Sequence, residues 1–346
     1  MRAAVIAATG ESPYVGELPD PDPEELVGPE WPVSAAAGGS ARGSEPDGLS
    51  LIAVRAAALN PLDLHVAAGR FFQGPPKVPY APGVEGAGVV IQSSSVAPGT
   101  RVRFEVGHPG YGTNGSLAEM AVAPDSTLIE LSDALDDEAA AAGVVGITAA
   151  RALDLLEVRK GDRVLVLGAT GSIGQVAVQL AKAAGAHRVV AAGRDAGALA
   201  RACELGADAA VRLDGRETGE LAAAFREAAG GHGVDAVINP LWGAPAMAAL
   251  AAGSFGVRLV NFGQAAGADA VVSSVPLRNN RATIRGISTA MDPPELRRDR
   301  CARVLQLLEA GRLTVDRDVV GLDRVGEAWK RQARSPHRKL VVQLES

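Results

Sequence analysis

Only two cysteines, Cys203 and Cys301, occur in 346 residues. Two thiols so far apart form no disulfide framework, so the chain reads as a cytoplasmic protein with reduced cysteines. There is no block of Lys or Arg, and the formal net charge is -6. A nucleic-acid partner calls for a basic stripe, so that class of partner is excluded. The N-terminal Met-Arg-Ala-Ala-Val-Ile lacks the apolar core and cleavage site of a signal peptide. The longest apolar run, Ala139 to Ala150, is mostly Ala and Gly and is too short to span a bilayer, so no membrane segment is expected.

What the sequence does have is apolar content, 47% of residues, with abundant Ala and Gly. That suits a well-buried α/β protein and not a disordered one. The length exceeds what one core usually holds, so two domains are expected. Residues 1 to about 125 carry short strand-like runs split by Gly and Pro, among them Leu51 to Val54, Gly88 to Ile91 and Arg101 to Phe104. They predict a mostly β domain. Gly28 to Gly48 is rich in Pro, Gly, Ser and Ala and reads as a loop or insertion.

A second rhythm starts near Asp162. Apolar runs recur at Val164–Leu167, Val189–Ala192, Ala209–Val211, Ala236–Ile238, Leu259–Phe262 and Thr283–Gly286. A spacing of one strand plus one helix, with continuous rather than alternating apolar residues, predicts an α/β unit with a parallel sheet covered on both faces. After about residue 292 the sequence predicts a helix over Glu295 to Ala310, a short loop segment, a helix near Val325 to Ala333 and a final strand, Lys339 to Leu344.

The strongest motif is Gly168-Ala169-Thr170-Gly171-Ser172-Ile173-Gly174, directly after the first strand of the series. Gly168 takes the turn dihedrals, Gly171 lets a pyrophosphate approach the backbone, and Gly174 lets the helix pack near the strand. The N–H groups and the positive end of the helix then face the phosphates. The competing reading is a tight βα turn without a ligand. The end of the second strand decides the cofactor. An NAD site usually places an acidic residue there; here Gly193 stands at that position and Arg194 follows. An Arg pairs with a 2′-phosphate, which favours NADP(H). Aligning Asp195 with the ribose instead favours NAD(H).

On these motifs the chain resembles the medium-chain dehydrogenase/reductases, and among them the zinc-free quinone oxidoreductase-like group. Carrying the resemblance are Met1-Arg2-Ala3-Ala4-Val5, Leu59-Asn60-Pro61-Leu62-Asp63, the block from Pro79 to Val90, Gly146-Ile147-Thr148-Ala149-Ala150, the glycine loop and Pro336 to Val341. It implies a mostly β GroES-like catalytic domain over 1–125 and 291–346, a Rossmann domain over 126–290, and an active site in the cleft between them. It also implies a homodimer or homotetramer built partly through the Rossmann sheet edge. Zinc-dependent relatives place Cys where this chain has Asn60 and His-Glu where it has Val84-Glu85. Without that thiolate and imidazole, no tetrahedral zinc site is expected, and the five histidines form no short ligand pair.

An enolate-like oxygen then needs another donor. By resemblance, Asn60 lies beside the nicotinamide and donates from its amide. Asp63 follows on the same turn, with a capping role as the alternative reading, and Tyr80 offers a phenol or only packs between domains. By resemblance, Thr148 lies near the nicotinamide, with a helix-interior Thr bonded to its own backbone as the alternative reading. Asn239, Asn261, Phe262 and Gly263 end the fourth and fifth strands and are expected near the nicotinamide half, because ligands sit at the carboxyl ends of such strands. The leading expectation is metal-free hydride transfer from NADPH to a small-molecule quinone or conjugated carbonyl. Reduction of an enoyl thioester, or of a C=C or C=N bond in a biosynthetic intermediate, is the second. A non-catalytic NADPH-binding protein is the third.

Overall fold

A computed structural model describes residues 1–21, 48–289 and 292–344, so most of the Gly28 to Gly48 segment lies outside the described residues. By contact density the chain divides into two units, Met1–Val144 with Ala290–Ser346, and Val145–Thr289. The first unit opens with β1 (Arg2–Val5), β2 (Tyr14–Glu17), β3 (Leu49–Ala58), α1 (Pro61–Ala67), β4 (Glu85–Gln92), β5 (Arg101–Glu105), β6 (Met120–Pro124), β7 (Ile129–Glu130) and α2 (Asp137–Ala141). Helix α3 (Gly143–Leu156) starts at the division. The second unit then runs β8 (Arg163–Leu167), α4 (Ser172–Ala183), β9 (Arg188–Gly193), α5 (Ala196–Glu204), β10 (Ala209–Arg212), α6 (Thr218–Ala228), β11 (Val234–Asn239), α7 (Gly243–Ala251), β12 (Gly253–Asn261), α8 (Ser274–Asn279) and β13 (Thr283–Gly286). The chain returns to the first unit with α9 (Pro294–Glu309), β14 (Arg317–Gly321), α10 (Val325–Gln332) and β15 (Lys339–Gln343).

The first unit is built on a sheet in the order β14-β15-β3-β4-β5-β7, with β6 also paired to β3. All its pairings are antiparallel except β14 with β15. The long β3 and its partner β4 bury Ile52, Val54, Ala57 and Val90 against Phe104, Leu117 and Leu340. The stretch before α10, expected to be a short loop, contains β14 instead. Val319 and Val320 form only a two-residue apolar run between Asp318 and Gly321, and they pair with Val341 and Val342 of β15, a partner supplied by the tertiary fold.

The second unit is a six-stranded parallel sheet in the order β10-β9-β8-β11-β12-β13. The first strand thus sits third, and the chain reverses direction across the sheet after β10; this is the doubly wound Rossmann order. Val164 to Leu167 and Val189 to Ala192 are fully buried, as continuous apolar strands covered on both faces must be. The βα runs expected from sequence all appear as β8 to β13.

Candidate functional site

In the second unit, Gly168 to Gly171 join β8 to α4. Gly168 has φ +64°, and a Cβ there would lie 2.9 Å from Pro240 Cγ. The Ala169 N–H donates to the Ala192 carbonyl at 2.9 Å, and the Gly171 N–H closes the turn on the Gly168 carbonyl at 3.1 Å. A Cβ on Gly174 would overlap the Gly168 carbonyl oxygen, so only glycine lets α4 start this close to β8. Gly171 differs: a Cβ there would meet only the Gly168 oxygen, at 3.6 Å. Gly171 is also the N-cap of α4, and no side chain caps the helix. Gly171 therefore brings no side-chain acceptor to the first-turn N–H groups of Ser172, Ile173 and Gly174, which lie at the positive end of the helix.

The end of β9 explains its own sequence. A Cβ at Gly193 would collide with the Thr170 methyl group, so a carboxylate at that position requires Thr170 to turn away. The Asp195 carboxylate accepts from the Ala198 N–H at 2.7 Å and caps α5. Arg194 is exposed. Two further arginines, overlooked in the sequence, join it. Arg212 pairs in register with Gly193 and donates from Nε to the Arg194 carbonyl at 3.3 Å. Arg216 donates to the Arg212 carbonyl at 2.8 Å and pairs with Asp214. Their signal was the placement of Arg212 at the end of the strand that neighbours the second one.

Elsewhere at the strand ends, the Asn239 side-chain oxygen accepts from the Leu241 and Trp242 N–H groups, each at 3.0 Å. Its amide nitrogen lies 2.9 Å from the Asn261 side chain. Asn239 thus braces the turn after β11. The Phe262 N–H donates to the Asn239 carbonyl at 3.0 Å, and Gly263 packs on the Pro240 carbonyl. Thr148 is buried within α3.

In the first unit, Asn60 is the N-cap of α1 and Pro61 its first residue. The Asp63 carboxylate accepts from the Asn60 N–H at 2.7 Å, so Asp63 does cap the helix. The Asn60 amide nitrogen donates to the Ala58 carbonyl at 3.2 Å and to Glu85 Oε1 at 3.1 Å. Its oxygen accepts from Lys339 Nζ at 2.6 Å, and Lys339 also donates to Glu85 Oε1 at 3.1 Å. Each amide hydrogen of Asn60 thus has a protein acceptor. Glu85 Oε2 accepts from Arg103 at 3.1 Å and from the Val144 N–H at 2.7 Å. Arg103 and Arg297 bracket Glu105 at 2.8 and 2.7 Å.

These groups form a buried set of three cations, Lys339, Arg103 and Arg297, with three carboxylates, Glu85, Glu105 and Asp63. Burial works against a charged Glu105, but Arg103 and Arg297 outweigh it and hold that carboxyl below its ordinary range. Burial dominates at Asp63 and pushes it up to about 7, against the Asn60 N–H and Lys339. Burial likewise pushes the Cys301 thiol up to about 12, although Arg103 lies beside it. Tyr80 is 2% exposed and its phenol oxygen is buried without a hydrogen-bond partner among the described residues. Burial first, then the charges of Asp63 and Tyr111, raise its pKa.

Sequence reasoning named Asn60, Asp63 and Tyr80 as candidates and missed Lys339, Arg103, Glu105 and Arg297. The available signal was charge inside apolar strands, as in Arg101-Val102-Arg103-Phe104 and Lys339-Leu340-Val341, since such residues are rarely buried unless paired. Among the described residues, no group of three or more His, Cys, Asp or Glu is arranged to hold a metal ion.

Two family models match the chain: zinc-binding dehydrogenase over residues 172–310, and alcohol dehydrogenase GroES-like domain over residues 46–133. A crystal structure of an NAD-dependent alcohol dehydrogenase is 26% identical, with TM-score 0.79 and 100% of each chain covered. The chain belongs to the medium-chain dehydrogenase/reductase superfamily. Within this superfamily it is quinone oxidoreductase-like: it is 35% identical over 156 residues to a quinone oxidoreductase of Pongo abelii, covering 44% of this chain and 46% of that protein. It is also 33% identical over 220 residues to a mycocerosic acid synthase-like polyketide synthase of Mycobacterium tuberculosis, covering 62% of this chain. The chain spans 10% of that synthase and less than half of the quinone oxidoreductase. A mycobacterial protein solved in complex with NADPH shares the fold, with TM-score 0.80, 24% identity and 99% coverage of both chains. Members of this superfamily are oxidoreductases that work with a nicotinamide cofactor. No helix among the described residues is long and apolar enough to cross a membrane.

Proposed function

We propose that the protein transfers hydride from NADPH to a quinone or a conjugated carbonyl without a metal ion. The observation that carries this reading is the uncapped start of α4 behind Gly168 to Gly171, next to Gly193 and Arg194. Ala169 and Thr170 complete the loop. The open space at Gly171 fits a pyrophosphate, which the N–H groups of Ser172, Ile173 and Gly174 would hold. Arg194 fits a 2′-phosphate, while Asp195 is engaged in capping α5. The likeness to a protein solved with NADPH supports the same cofactor. Thr148, Asn239, Asn261, Phe262 and Gly263 are assigned to the nicotinamide half. Bound NADPH supplies the hydride.

In the first unit, the catalytic one in this reading, Asp63 and Tyr80 hold the proton that must follow. The buried Asp63 carboxyl is poised to exchange a proton near neutrality. The Tyr80 hydroxyl has a proton to give and no acceptor for it among the described residues. Asn60 is positioned by Lys339, and the Lys339 ammonium supports the metal-free reading, because it puts a fixed positive charge where a zinc ion would be repelled.

The test is NADPH oxidation by the purified protein against quinones, enones and enoyl thioesters, together with NADPH binding. Tight NADPH binding without turnover of any acceptor would favour a non-catalytic binding protein. Reduction of an enoyl thioester, or of another C=C or C=N bond in a biosynthetic intermediate, is the second reading, favoured by the likeness to the polyketide synthase. We place the protein in the cytoplasm, with Cys203 and Cys301 free. We infer a homodimer or homotetramer that uses β13, which among the described residues is an edge strand paired with β12.

A further inference from the structure

The chain is poor in aromatic side chains, with six Phe, three Tyr and three Trp in 346 residues. Three of these gather with a histidine in the first unit. Phe71 and Phe72 have ring centroids 4.3 Å apart, and Phe71 lies 5.2 Å from His108 and 5.8 Å from Tyr111. His108 meets Phe72 edge-on at 6.4 Å and 85°. Phe71 and Tyr111 pack into the hydrophobic core of the unit. Phe72 does not: it is 64% exposed. Solvent exposure of one large ring is unremarkable in isolation. Here the ring is backed by a second ring and edged by a third, which leaves one broad face open on a fixed support.

The support is braced. The Tyr111 hydroxyl donates to the Gly74 carbonyl at 2.6 Å and ties the loop after α1 to the loop that carries His108. The Arg70 N–H donates to the His65 carbonyl at 2.9 Å, so Phe71 and Phe72 follow directly from the helix that Asn60 and Asp63 start. Tyr80 belongs to the same core that Phe71 and Tyr111 pack against, and Gly110, beside Tyr111, lies against the Tyr80 ring. Burial first, and then Arg297, lower the His108 pKa.

We infer that Phe72, backed by Phe71 and edged by His108, is the specificity-determining surface for a planar conjugated ring in the hydride acceptor. A flat π-system meets one open ring face and one imidazole edge, the offset and edge-to-face geometries that aromatic pairs prefer. A linear acyl chain gains nothing comparable from them. The inference rests on the hydride-transfer reading and specifies its acceptor as ring-bearing.

The experiment compares phenanthrenequinone with methyl vinyl ketone as acceptors for the parent, Phe72→Ala and Phe72→Trp. Phe72 is exposed, so neither substitution disturbs the core. In Phe72→Ala the ratio of the two KM values is expected to shift roughly fivefold to twentyfold against phenanthrenequinone, and in Phe72→Trp to stay near the parent ratio. An unchanged ratio in Phe72→Ala overturns the inference and leaves the hydride-transfer reading standing. If no acceptor is turned over, that reading fails, and equilibrium dialysis of phenanthrenequinone against the same proteins still decides the shelf. Binding by the parent that weakens in Phe72→Ala sustains it, and binding that is absent or indifferent to the substitution overturns it.

Discussion

Lys339 and Asn60 are 279 positions apart in the chain and 2.6 Å apart in space. The lysine reaches from the start of β15 to the N-cap of α1, and Glu85 on β4 closes the triangle. Removing the ammonium in Lys339→Met leaves Glu85 with one fewer counter-charge and the Asn60 oxygen without its donor. Deleting one partner of a buried ion pair costs about 3–5 kcal/mol. Urea unfolding should register a loss of that order, with much of it recovered in Lys339→Arg. A midpoint equal to the parent's in Lys339→Met would show that the triangle contributes no stability.

Asp63 gives a pH signature. Its folded-state pKa, about 7, lies above the ordinary value of 3.8. The folded protein therefore holds this proton more tightly than the unfolded chain does. The stabilisation is complete below pH about 4 and is lost as pH rises through about 7. Asp63→Asn keeps an acceptor for the Asn60 N–H and removes the titration. Thermal melts of both proteins should show the variant gaining on the parent by several degrees between pH 5 and pH 8. Parallel curves would mean that Asp63 is ionised throughout.

The two glycines flanking the start of α4 should behave differently. A side chain at Gly171 meets open space in the protein, so Gly171→Val should fold and melt like the parent yet bind NADPH at least tenfold more weakly. A side chain at Gly174 collides with the Gly168 carbonyl, so Gly174→Val should lose about 2 kcal/mol or more of stability. Calorimetric NADPH binding and melting temperature, measured on both, separate the effects. Normal NADPH affinity in Gly171→Val would remove the loop from the phosphate site.

Arg194 is expected to select NADPH over NADH. Charge-assisted hydrogen bonds to a 2′-phosphate contribute on the order of 1.5–3 kcal/mol. Arg194→Ala should then lower the preference roughly 10- to 100-fold. Arg212, whose guanidinium leans on the Arg194 carbonyl, should show a smaller loss of the same sign. Dissociation constants for both cofactors test this; an Arg194→Ala protein with the parent ratio would refute the assignment.

Activity should survive dialysis against a chelator without loss. Elemental analysis of the active protein would contradict the metal-free reading if it found one zinc per chain that departs together with activity.

Much of the second unit is written in short stretches of sequence. Strands covered on both faces read as unbroken apolar runs, and the glycine loop is a local motif whose dihedral and packing demands fall within seven residues, so β8 to β13 and the start of α4 follow from the residues themselves. Strand β14 was not legible, because Val319 and Val320 become a strand only against β15. The ligand-side chemistry divides in the same way. Gly193 and Arg194 stand out in the sequence, but what crowds a side chain at Gly193 is the Thr170 methyl group, which the fold places against it. By sequence Asp63 is either a site carboxylate beside Asn60 or a capping residue; its raised pKa comes from the removal of water around it, a property of the packed unit. The Lys339, Glu85 and Arg103 network depends on three strands whose order in the sheet differs from their order in the chain. Local propensity and periodicity determined the elements; which charges would meet in the dry interior was decided only by the tertiary structure, because electrostatic pairing depends on distance in space and on exclusion of water.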